Sequence, residues 1–182
     1  MAEVVEHAGG WVFDRVRAGW HVVVIVGELV DDRPLRVLGA GSLDFETALS
    51  SIRLRGHPQS LAFPAELFEC DSRVRDWVLH VLDHGLSQVA LWGGHCPPEL
   101  SDYGGFAHYR LTTAAQAFKA QALAAAGFAD AAVGHTENFH TCATRRRLVA
   151  PDLVPACAEE ISAELELKDC RIIELTTAGA AG

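Results

Sequence analysis

Gly93-Gly94-His95-Cys96 follows directly on Gln88–Trp92, a short apolar run with the composition of a buried strand. A histidine and a thiol together can supply a general base and a nucleophile. In open α/β sheets, ligands bind beyond the carboxyl ends of the strands, so this loop is the best-placed candidate site in the chain. Neighbouring residues of an extended chain point to opposite sides, which makes His95 and Cys96 poor partners for each other. A working dyad requires a second histidine from elsewhere, with His108 or His140 the candidates. On this reading His95, Cys96 and His108 are catalytic, and Gly93 and Gly94 approach a ligand. The competing explanation is a turn in which the glycines supply positive φ and Cys96 packs inward as a small hydrophobe.

A second set of donors lies in Gly134–Cys142, where His135, Glu137, His140 and Cys142 are all capable of holding a metal. His135 and Glu137 share one face of an extended chain, and His140 and Cys142 share the other, because the parity changes between them. The four converge only if Asn138 makes a turn or bulge. Without it, each face offers two ligands, short of the three or four that zinc takes.

Other patterns are weaker. Asp76, His80 and His84 follow at i, i+4 and i+8 on a helix, but no HExxH is present, and a solvated face explains them. Gly39-Ala40-Gly41-Ser42 lacks the third glycine of a dinucleotide fingerprint, and no GK[ST] follows. Arg145-Arg146-Arg147 is the sole basic cluster in an acidic chain. No GxSxG elbow occurs.

These residues need a scaffold. A first helix ends near Arg17, stopped by Gly19, and His21–Val26 reads as a strand buried on both faces, extended by Leu29 and Val30. Leu35–Leu38 reads as a second strand, forming an antiparallel hairpin with the first over residues 21–38. A helix spans 44–54, and Ser60–Phe63 is a short strand. Asp71 or Ser72 caps a helix that carries Val74, Trp77, Val78, Val81 and Leu82 on one face and stops at Gly85. Gly93–Tyr109 reads as one long loop, followed by an alanine-rich helix from Thr112 or Thr113 to Ala126. Residues 131–143 are extended, a helix with Pro155 in its first turn runs to Leu167, and Cys170–Leu175 is the last strand. The expected fold is α/β: a single-domain three-layer α/β/α sandwich over 1–175, with a mixed, mostly parallel sheet of five or six strands. Residues 176–182 form a mobile C-terminal tail.

Composition narrows the class of function. In 182 residues, 49% are hydrophobic and 21% charged, which excludes intrinsic disorder. The net charge of −9 argues against nucleic acid as a partner. No apolar run reaches the roughly 18 residues of a membrane span. The segment MAEVVEHAGG lacks the basic and apolar regions of a signal peptide. The five scattered cysteines contain no CxxC pair and fit reduced thiols in a cytoplasmic protein. Only Lys119 and Lys168 are lysines, and with abundant arginine and alanine this is the composition of a bacterial, GC-rich genome. No pattern specifies a cofactor. Two functions follow: a non-catalytic binding or assembly module, recognising another protein or a copy of itself, or a small enzyme with a Cys/His or metal-assisted site in the loop after the strand 88–92. A small-molecule ligand stays open. The first is preferred because the polar candidates form no motif with a mechanism.

Overall fold

Five consecutive β-branched side chains, Val22–Val26, offer no polar alternation, and Trp20–Val26 forms strand β1 inside the sheet, with only His21 exposed near its start. The computed structural model describes residues 1–26, 31–44, 47, 58–142, 154–155 and 171–177, the last two stretches by their backbone. The helices are α1 (Ala2–Arg17), α2 (Arg33–Leu38), α3 (Ala65–Cys70), α4 (Ser72–Asp83) and α5 (Thr113–Ala125). The remaining strands are β2 (Gly41–Asp44), β3 (Ser60–Pro64), β4 (Gln88–Trp92), β5 (Gly104–Arg110), β6 (Thr136–Cys142), β7 (Val154–Pro155) and β8 (Arg171–Thr177). A 3-10 turn at Pro98–Tyr103 leads into β5.

The caps read from the sequence are in place. The Asp71 carboxylate accepts the Arg73 N–H at 2.9 Å at the start of α4, and Thr112 Oγ1 accepts the Ala115 N–H at 3.0 Å at the start of α5.

The chain is an α/β protein. Its strands run in the order β2-β1-β8-β3-β4-β6-β5-β7. A two-stranded group, β2-β1, is parallel, and a four-stranded group, β3-β4-β6-β5, holds one parallel and two antiparallel pairs. The backbone of β8 lies between the groups, antiparallel to both β1 and β3. A single mostly parallel sheet of five or six strands does not form. Among the described residues, two ladders are parallel and five antiparallel, because the C-terminal half adds strands by reversing direction.

The expected hairpin over 21–38 is also replaced. Residues 33–38 form α2, with Pro34 in the first turn and Gly39 at φ +78 as a left-handed cap. Fourteen residues separate β1 from β2, enough for the parallel crossover that is found. Gly39–Ser42 therefore joins a helix end to a strand, not a strand to a helix start. The presumed loop 93–109 contains β5, and Ala65–Cys70 is helical where no helix was expected. Val154–Pro155 pairs with β5 where a helix start was expected, and Thr176 and Thr177 belong to β8, not to a tail. Leu29–Val30, most of the helix over 44–54, Arg145–Arg147 and the rest of the helix ending at Leu167 lie outside the described residues.

Strand alternation divides the apolar residues into two cores. Val22, Val24, Val26, Ala90, Trp92 and Phe139 pack with α1, α2 and α5. Ile25, Leu61, Phe63, Val89, Leu91 and Cys142 pack with α3 and α4. Helices thus cover both faces. No described helix is long and apolar enough to cross a membrane.

Candidate functional site

Along β6 the side chains alternate without interruption, since each residue from Thr136 to Cys142 pairs in register with β5. There is no bulge at Asn138. Glu137 and Phe139 therefore face α1, while His140 and Cys142 face the opposite core. The four residues considered as metal ligands are split between the two sides, and His135 is exposed before the strand begins. Among the described residues, no group of three or more His, Cys, Asp or Glu side chains is gathered to hold a metal ion.

The structure instead sorts the candidates into two new neighbourhoods. The first is built around Glu137, which is 3% exposed. Its carboxylate accepts the Gly10 and Trp11 N–H groups of α1, each at 2.8 Å, and the Lys119 ammonium of α5 at 2.7 Å. Lys119 also donates to the Glu6 carbonyl at 2.5 Å. In a regular helix that carbonyl receives the Gly10 N–H. The ion pair is thus threaded into the middle of α1, one charge on each side of the same backbone turn. Burial pushes the Glu137 carboxyl above its usual range, and the Lys119 ammonium and the two N–H groups pull it back. Glycine at position 10 makes the approach feasible: a Cβ there would lie 2.5 Å from Leu111 Cγ and 3.3 Å from Glu137 Oε1. Glu137 acts as a structural clamp in this arrangement.

The second neighbourhood lies on the other face of the sheet. β4 ends at Trp92, and the chain must return to Gly104, which pairs with Cys142. The segment between them crosses the face that carries His140 and Cys142, anchored by the buried Leu100. Cys96 packs into the same apolar cluster as Cys142, and the His95 charge is felt at His140. His95 and Cys96 are thereby brought towards His140 and Cys142. Burial holds the Cys96 thiol above its usual range, and burial together with Cys96 pushes Cys142 up to about 12. Burial, then the neighbouring His95, holds His140 below the usual imidazole value. Burial thus disfavours the thiolate at both cysteines and the imidazolium at His140, which is not the environment of an activated nucleophile.

His108 does not join this group. Its Nδ1 donates to Asn138 Oδ1 at 2.6 Å across the β5–β6 ladder, at the surface. Gly93 and Gly94 have φ of +68 and +53 and are exposed, as a turn requires. Asp76, His80 and His84 are exposed on α4, and His84 Nδ1 donates to the His80 carbonyl at 2.8 Å. Lys119 is absent from the sequence-based candidates, although a signal exists. It shares the stripe Ala115, Lys119, Ala122, Leu123 that α5 buries, and a lysine in such a stripe demands a buried acceptor.

No protein-family model matches the chain, and neither a curated protein nor a solved structure shows significant similarity to it. Function must be argued from the side chains themselves.

Proposed function

We propose that the chain is a non-catalytic binding and assembly module of the bacterial cytoplasm, folded as one α/β/α domain that includes all of β8, whose partner is a second copy of itself. The observation that supports this reading is the pair Phe118 and Phe128, 44% and 55% exposed on α5 and the turn that follows it. Large aromatic side chains are common anchors of protein interfaces. Phe118 is held in place by stacking on Phe13 of α1, with ring centroids 4.4 Å apart. Light scattering at high micromolar concentration tests the reading. A homo-oligomer is expected, dissociating to monomer in the F118S/F128S variant. A strict monomer overturns it.

The second reading is a small thiol enzyme after β4, and the shared cluster of Cys96 and Cys142 favours it. The raised thiols weigh against it, since the thiolate is the nucleophile.

A further inference from the structure

We propose that two copies of the chain meet through α5, the two helices lying antiparallel across a two-fold axis at Gln121. The inference rests on the self-association reading above and adds to it the face, the orientation and the register. α5 buries Ala115, Lys119, Ala122 and Leu123 against its own domain. The opposite side carries Thr113, Ala114, Ala117, Gln121 and Ala124, all exposed. Lys119 is the sole ionisable residue of the helix, and it is turned inward onto Glu137. The outer face of α5 therefore bears no charge. A surface helix ordinarily presents charged or polar groups to water, and one that is apolar on nearly every side is ordinarily covered.

Charge makes a second copy the occupant. The chain carries a net charge of −9, so two copies approach at least cost where ionisable groups are missing from the surface. The antiparallel orientation is favoured for the same reason. It brings the turn 127–134, whose one charged residue is the exposed Asp130, beside the first turn of the partner's α5. A carboxylate is stabilised at that end of a helix, where the backbone dipole is positive. A parallel pair would instead set the two Asp130 carboxylates side by side.

The register follows from where the large groups stand. Phe118 is three residues before Gln121 and Ala124 three after it, while Phe128 is seven after and Ala114 seven before. Rotation about an axis at Gln121 sets Phe118 against the partner's Ala124 and brings Phe128 to the partner's Ala114. Each exposed aromatic group then meets a small one, which is the complementarity a packed interface requires. Stacking on Phe13 already orders Phe118, so less side-chain freedom is lost on association. The two Gln121 side chains face each other at the axis, and an amide, being both donor and acceptor, can pair with its own copy. The contact is isologous, as two-fold dimers are.

Charge exchange at the axis tests the proposal, and because Gln121 is exposed a substitution there leaves the core untouched. Sedimentation equilibrium of the full chain is expected to show a dimer for wild type. Gln121→Glu and Gln121→Lys should each weaken it roughly tenfold or more, since like charges then face each other at the axis. An equimolar mixture of the two variants should recover the dimer, because opposite charges now meet there. A wild-type dimer that neither variant weakens, or a mixture no tighter than either variant alone, would overturn the α5 pairing and leave self-association through another face standing. A wild-type chain that stays monomeric, its α5 face left to another segment of the chain or to a different protein, would overturn both.

Discussion

Lys119 Nζ stands 2.7 Å from Glu137 Oε1 in a site where both side chains are almost wholly buried. The pair joins α5 to β6, and through Gly10, Trp11 and the Glu6 carbonyl it also holds the centre of α1. A buried ion pair gains little over an apolar pair of the same shape, but removing one partner strands the other charge, at a cost of about 3–5 kcal/mol. Lys119→Met is therefore expected to destabilise by that amount in urea unfolding, and Glu137→Gln by a smaller part of it, since the amide oxygen still accepts one α1 N–H. A Lys119→Met chain as stable as wild type would show that the clamp carries no energy.

Gly10→Ala sets two effects against each other. Alanine gains about 1 kcal/mol of helix propensity over glycine. The new Cβ meets Leu111 Cγ at 2.5 Å, and overpacking of this kind costs about 1–3 kcal/mol. The steric term is expected to win, with a lower urea midpoint than wild type. A higher midpoint would mean that Leu111 moves aside freely.

The Asp71 cap of α4 carries a pH dependence. Its hydrogen bonds to the Arg73 guanidinium hold the carboxyl below the ordinary 3.8, so the folded state binds this proton more weakly than the unfolded chain. The contribution is complete above that ordinary value and is lost as pH falls through the lower folded one. Asp71→Ala is expected to cost about 1 kcal/mol at neutral pH. The gap between the two proteins should close as the medium is acidified below the ordinary value. A gap that stays constant to pH 2 would exclude the carboxylate as its source.

Thiol reactivity separates the two functional readings. Cys70 is exposed, Cys96 half-buried and Cys142 buried. With iodoacetamide at pH 7, Cys70 should be labelled first of these three and Cys142 last. The Cys96 rate should keep rising with pH beyond the ordinary thiol range, because burial raises its pKa. A Cys96 rate that levels off near neutral pH would favour the enzyme reading.

Elements set by local chemistry were legible in the chain alone. The apolar run of β1, the stripe Val74, Val78, Val81 and Leu82 of α4, and the Asp71 and Thr112 caps each act within a few residues of sequence. The parity that separates Glu137 from His140 was legible too, since alternation in a strand is a local property. Strand direction and neighbour were not. Nothing near Val23 states that it will lie beside Gly41 in parallel, or that β8 will arrive from the far end of the chain. α2 was hidden because Leu35, Val37 and Leu38 suit either element, and only the first-turn proline and the Gly39 cap decide for helix. The partners of the chemical groups were decided last. Alternation tells which side chains share a face, but tertiary packing chooses what meets that face. It set Glu137 against Lys119 and α1, and packed Cys96 against the cluster that holds Cys142, arrangements between separate segments of the chain that no local rule can encode.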